Sequence, residues 1–334
     1  MLLQGTLNAD RLSSRILLDN PLGDSAEREL LVYLPPSYDG AKRLPMVMVL
    51  PGFGATNRSL LNYEPWQPNL VQRFERLVLE KKSKPAILVL PDAMNRWGGS
   101  QYLDSPATGN YQQYLAEEVI AWVDQHYRTI PLKQGRAVVG KSSGGFGALR
   151  LGLDYPELFS AIGSHAGDLA FDISLRPLLQ RAALAFDRVG GPCEFIKQFF
   201  SSSRIDSLQF DGMLVVAFAA AYSPNRSQPL PHADFPFDAY NAELNSEVWQ
   251  RWLEHDPLQR ARQYLDAFRG TTLVYLDAGQ HDEHGLQFGA RALSQLLSAR
   301  GLRVIHEEFP GGHRGTSHRY ERSLPLLIDG LSDN

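Results

Sequence analysis

Five residues, Gly140-Lys141-Ser142-Ser143-Gly144, have the types and spacing that nucleophilic catalysis by a serine needs. They follow the β-like run Arg136-Ala137-Val138-Val139 and open a small-residue helical stretch, Gly145-Phe146-Gly147-Ala148-Leu149-Arg150. That is the strand, sharp turn and helix in which a G-x-S-x-G serine is held at a strand tip. Glycines at Gly140 and Gly144 leave room for a strained turn, and only Ser142, not Ser143, has a glycine two positions away on each side. An ordinary loop can share these letters; the flanking strand and helix patterns argue against one here.

A serine hydroxyl is a weak nucleophile until a histidine takes its proton and an acid orients that histidine. The chain supplies both partners in the order Ser, acid, His, each after a later β-like run. After Thr272 to Asp277 comes the loop Ala278-Gly279-Gln280-His281-Asp282-Glu283-His284. Asp282 is the preferred acid because it precedes the helix that carries Leu286; Glu283 and then Asp277 rank behind it. After Arg303 to Phe309 comes Pro310-Gly311-Gly312-His313, where two glycines give the histidine freedom to swing, so His313 is the base and His318 its rival. A tetrahedral intermediate also needs oxyanion donors. The backbone N–H of Ser143 is the first candidate, and that of Phe53, in the glycine turn Leu50-Pro51-Gly52-Phe53-Gly54, is the second.

Other chemistries fit less well. Gly135 to Ser142 spells a G-x-x-x-x-G-K-S phosphate loop, but Arg136 to Val139 must then be a loop rather than a strand, and nothing apolar precedes Gly135. His281, Asp282, Glu283 and His284 are adjacent rather than spaced on one helix face, so no metal site is expected, and no cofactor is called for. The single cysteine, Cys193, has no CxxC partner and reads as a spectator thiol. A formal charge of −4 gives no basic stripe for nucleic acid, and no apolar run approaches bilayer length. The stretch Met1 to Thr6 lacks the marks of a secretory leader, so the expected setting is cytoplasmic, with a small-molecule partner; homo-oligomerisation is left open.

These side chains need a scaffold. Apolar runs recur at Arg15 to Leu18, Leu30 to Leu34, Met46 to Leu50, Ala86 to Leu90, Ala137 to Val139, Thr272 to Leu276 and Val304 to Ile305. Several lack alternation, as strands covered on both faces do. Helical periods lie between them: Leu115, Val119, Trp122 and Val123 share a face, as do Leu286, Ala290, Leu293 and Leu297. The predicted fold class is therefore α/β, a mostly parallel sheet with helices on both faces. Residues 1–334 are read as one domain, with 168–268 as a helical, cap-like insertion rich in aromatics and proline that borders the site. Trp97, Gln101 and Tyr102, in the loop after the Ala86 run, are candidates for the substrate pocket.

With these residues in place, the chain resembles the esterase D-like branch of the α/β-hydrolase superfamily, which includes S-formylglutathione hydrolases, feruloyl esterases, enterochelin esterases and mycolyltransferases. The likeness rests on Leu31 to Tyr38, Leu50 to Phe53, Gly140 to Leu149, Tyr155 to Phe159, Gly279 to Asp282 and Phe309 to His313. It implies an α/β-hydrolase fold, Ser142, Asp282 and His313 as catalytic triad, and Phe53 and Ser143 as oxyanion donors. Pro51 departs from the histidine that many relatives carry before the glycine, and no glutathione-recognising region is evident. The expected activity is carboxylic-ester hydrolysis through an acyl-enzyme on Ser142. Acyl transfer on the same triad, or a binding role on a hydrolase scaffold, are its alternatives.

Overall fold

In the computed structural model, which describes residues 3–332, the apolar runs become strands because alternate residues enter two different hydrophobic layers. Met46, Met48 and Leu50 pack into one layer, Val47 and Val49 into the other, and all five are buried. Met1 and Leu2, which open the N-terminal stretch read above, lie outside the described residues.

The strands are β1 (Thr6–Ser13), β2 (Glu27–Leu34), β3 (Met46–Leu50), β4 (Ile87–Pro91), the short hairpin β5 (Asp104–Ser105) and β6 (Gly109–Asn110), β7 (Arg136–Lys141), β8 (Ala161–His165), β9 (Leu273–Gly279) and β10 (Val304–Phe309). Eight of them form one sheet in the order β1-β2-β4-β3-β7-β8-β9-β10. β2 runs antiparallel to β1 and β4, and the other pairs are parallel. The register sets Leu50 beside Gly140 and Lys141 beside His165, so the ends of β3, β7 and β8 meet at one edge.

Helices cover both faces. α1 (Leu70–Leu79) and α12 (Tyr320–Asp329) pack on one. The other carries α2 (Tyr111–Gln113), continued through a π-helical stretch into α3 (Ile120–His126), together with α4 (Ser143–Asp154), α10 (Pro257–Gln263) and α11 (Leu286–Ser298). Between β8 and β9 stand α5 (Phe171–Ser174), α6 (Arg176–Asp187), α7 (Pro192–Ser201), α8 (Ser207–Tyr222), α9 (Ser246–Leu253) and α10. α8 is capped by Asp206, whose side chain accepts from the Gln209 N–H, and is buried along most of its length. Around it a third hydrophobic cluster forms from Phe186, Phe195, Phe218, Trp249 and Trp252.

One expected strand is absent. Ile16 to Asp19 form a turn, held by the Ser14 hydroxyl on the Leu17 N–H at 3.0 Å and by Glu118 accepting from the Arg15 N–H at 2.8 Å. The true edge strand is β1, paired on one side only and largely polar, which is why its sequence carries no apolar run.

Candidate active site

Ser142 sits between β7 and α4 with φ 56° and ψ −125°, a left-handed conformation unusual for a residue with a Cβ. The strain is held by packing that excludes side chains on either side. A Cβ on Gly140 would lie 2.2 Å from the Gly144 carbonyl oxygen, and one on Gly144 would lie 2.1 Å from that of Leu50. The Ser142 N–H donates to the His165 carbonyl at 2.8 Å, which ties the turn to β8. This rules out the phosphate-loop reading, because Arg136 to Lys141 are strand.

Asp282 and His313 arrive on two loops that bind each other. The Gln280 N–H donates to the Phe309 carbonyl and the His281 N–H to that of Gly311, both at 2.9 Å. Glu283 accepts the His313 N–H at 2.8 Å. So anchored, the His313 ring places Nδ1 2.8 Å from Asp282 Oδ2 and Nε2 3.0 Å from Ser142 Oγ. An ionised carboxylate can only accept, so Nδ1 carries the proton and Nε2 is left to accept from the serine hydroxyl. Burial of Asp282 works against its charge, but the hydrogen bond from His313 and the His284 N–H outweigh it and hold the carboxyl below its ordinary pKa.

The rival residues have other partners. Asp277 meets His165 Nδ1 at 2.7 Å and Arg319 Nε at 2.8 Å inside the sheet. His318 is exposed, 3.3 Å from the Gly315 carbonyl. Among the described residues no group of three or more histidines, cysteines or acids could hold a metal ion.

Facing Ser142 is the loop after β3. A Cβ on Gly52 would be 3.3 Å from both the Ser142 Cβ and the Lys141 carbonyl, so this loop lies directly over the serine. Among the described residues the Phe53 N–H has no acceptor, and Ser143, first in α4, has its N–H free as helix-start donors do. Behind the loop, the Tyr102 hydroxyl donates to the Pro51 carbonyl at 2.6 Å. Trp97, Gln101 and Tyr102 are all buried, and none lines the cavity at Ser142; Gln101 and Tyr102 instead border a small recess behind Phe53.

That cavity, of about 400 Å³, is bounded by Ser142, His313, Phe53, Leu178 of α6, and Phe210, Leu214 and Phe218 of α8. Asp168, Ser174, Lys141, His284 and Arg314 supply polar atoms to its lining. Burial lowers the pKa of Lys141. A wider surface cleft of about 980 Å³ lies around Asp154, Arg150 and Arg260, but those charges are paired with each other and no nucleophile borders it.

The strand order and the strained serine at the tip of β7 define an α/β-hydrolase. A model of the family described as Putative esterase matches residues 25–325, and the chain belongs to that family. One curated relative, Esterase MT1326 of Mycobacterium tuberculosis strain CDC 1551, is 33% identical over 85 residues, which are 25% of this chain and 19% of the relative. The chain thus spans about a fifth of that protein's length. Among solved structures, a ferulic acid esterase superposes with TM-score 0.63 at 18% identity, covering 98% of this chain and 100% of its own. An S-formylglutathione hydrolase from Agrobacterium tumefaciens gives 0.59 at 17% identity over 99% and 98%. These likenesses agree with the branch that the sequence motifs resemble. Among the described residues no helix is long and apolar enough to cross a membrane.

Asp168 and Ser174 carry no motif of their own and escape a reading of the sequence, and His284, considered there only as part of a metal cluster, lines the cavity instead. Asp168 is one residue of Ala166-Gly167-Asp168 after β8, and only the packing of the later helices turns it into a buried cavity group.

Proposed function

We propose that the protein is a serine carboxylic-ester hydrolase. His313 Nε2 takes the Ser142 proton as Oγ attacks the ester carbonyl carbon, and Asp282 stabilises the imidazolium that results. The Phe53 and Ser143 N–H groups receive the oxyanion. The intermediate collapses with proton transfer from His313 to the leaving alkoxide, which departs as alcohol and leaves an ester on Ser142. Water, deprotonated by His313, then attacks this acyl-enzyme and releases the carboxylic acid and free Ser142.

The observation that carries the reading is the unbroken chain from Ser142 Oγ through His313 to Asp282 at 3.0 and 2.8 Å, opening onto a cavity with apolar walls. In this reading the helical segment between β8 and β9 is a cap within a single domain, since its α6 and α8 form those walls. The test is hydrolysis of p-nitrophenyl acetate by the wild type beside Ser142→Ala. We expect kcat to fall by a factor on the order of a million, as for loss of a triad serine elsewhere; equal activity in both proteins would overturn the assignment.

A further inference from the structure

Asp168 lines the cavity beside Ser142 with 7% of its surface exposed, and its Oδ2 has no hydrogen-bond partner. The Ser143 hydroxyl lies close enough to favour the charged form of this carboxyl. Ser174, 2% exposed and lining the same cavity, has an Oγ that is likewise without a partner. Leaving a buried polar atom unpaired is costly, so structural carboxylates in a protein interior are surrounded by donors. This chain follows that rule elsewhere. Asp256 accepts the N–H groups of Ala170, Phe171 and Leu258, and Asp277 is bonded by His165, Arg319 and Tyr275. Asp168 departs from it, and does so at the wall of the reaction cavity rather than in the core. His313, which lines the same cavity, is committed to Asp282.

We propose that Asp168, assisted by Ser174, determines specificity by accepting a hydrogen bond from the substrate moiety that fills this cavity. The moiety is then an aliphatic or aromatic body, matched to Leu178, Phe210, Leu214 and Phe218, that carries a hydroxyl or a protonated amine. A plain hydrocarbon chain of the same length leaves Oδ2 buried and unpaired, which is how a polar site rejects an analogue lacking the donor. The inference rests on the ester-hydrolase reading and names the substrate class for it.

The experiment compares kcat/KM for ethyl butanoate with that for ethyl 3-hydroxybutanoate, ethyl 3-aminobutanoate and the monobutanoate of ethylene glycol, in wild type, Asp168→Ala, Ser174→Ala and Ser142→Ala. The first two derivatives separate hydroxyl from amine, and the third places the donor on the alcohol side. A hydrogen bond to a charged group corresponds to a preference of roughly ten- to a hundredfold for at least one donor-bearing ester. That preference should collapse toward parity in Asp168→Ala and shrink in Ser174→Ala. Asp168→Asn should also melt higher than wild type, because a carboxylate kept unpaired for binding weakens the fold; a structural carboxylate would give the opposite sign. Equal wild-type rates on all four esters overturn the proposal without any variant, and so does a preference that survives Asp168→Ala. Ser142-dependent hydrolysis with no preference sinks this inference alone. Hydrolysis that persists in Ser142→Ala, or none of any ester, sinks the reading beneath it as well.

Discussion

His165 Nδ1 lies 2.7 Å from Asp277 Oδ1, and on its other side Nε2 lies 2.8 Å from Ser323 Oγ. The molecule therefore holds a second serine, histidine and aspartate in hydrogen-bonded series, its histidine on β8, the strand beside the β7 that carries Ser142 at its tip. Ser323, His165 and Asp277 are all buried and border no cavity at Ser142, so no carbonyl can reach this serine. What separates the two series is access and backbone: Ser142 is at a strained strand tip over a cavity, whereas Ser323 lies inside α12.

Ser323→Ala therefore leaves His165 Nε2 buried without a partner. We expect a loss of about 1–3 kcal/mol in unfolding free energy. Esterase kcat/KM at 25 °C should stay within about twofold of wild type. Urea unfolding and p-nitrophenyl acetate kinetics on the same preparation decide it; a loss of activity in the folded variant would reassign this series to catalysis.

Asp282→Asn and Glu283→Gln separate the neighbouring acids. The first should lower kcat by about 10⁴, because an amide no longer imposes the Nδ1–H tautomer on His313. Glu283 reaches His313 through the backbone N–H and not the ring, and glutamine keeps an oxygen that can accept it. Its loss should stay below about tenfold. Comparable losses in the two variants would mean that Asp282 is not the sole orienting acid.

How far the sequence could have led to this point depends on whether a function is encoded locally. The turn around Ser142 is legible because its steric demands are written in adjacent residues: Gly140 and Gly144 must lack a Cβ, and the strand precedes them by chain order. Asp282 could be preferred over Asp277 because one follows the β9 run and the other still belongs to it. Tyr102 was visible as an aromatic near the site but its contact with the Pro51 carbonyl was not, since that depends on how two loops after different strands meet. β1 was hidden by its polar edge, and Asp168 by the fact that its burial is imposed by helices placed after it in the chain.

Gly144→Ala tests the turn itself. The added Cβ would collide with the Leu50 and Pro51 carbonyl oxygens at 2.1 and 2.5 Å, both backbone atoms that cannot rotate aside. We expect destabilisation of about 3 kcal/mol or more, or failure to accumulate folded protein. A variant with wild-type melting and activity would show that the turn tolerates a conformation other than the one described.

Tyr102→Phe tests support of the loop after β3, proposed above to receive the oxyanion. It removes the hydroxyl that donates to the Pro51 carbonyl at 2.6 Å, directly before Gly52 and Phe53. If that bond holds the Phe53 N–H in place for the transition state, kcat should drop about tenfold with KM little changed. A change in KM alone would instead make Tyr102 a determinant of ground-state binding.

Asp168 should also leave a signature in the pH dependence of stability. Burial lifts its pKa to about 7; the neighbouring Asp282 charge adds to the effect, while His313 and the Ser143 hydroxyl oppose it. The folded chain then holds this proton more tightly than the unfolded chain. Between the ordinary aspartate range and about pH 7 the native state carries more protons, so stability falls as pH rises across that window and levels off above it. Asp168→Asn removes the titration and leaves His313, Asp282 and Tyr222 facing a neutral amide. The variant's advantage over wild type in urea unfolding should be small near pH 4 and grow to a few kcal/mol by about pH 8. Taking the difference at each pH cancels groups that titrate alike in both proteins. An advantage independent of pH would mean that the carboxyl keeps an ordinary aspartate pKa and is solvated through the cavity, and the unpaired Oδ2 would then be satisfied by water rather than held for substrate.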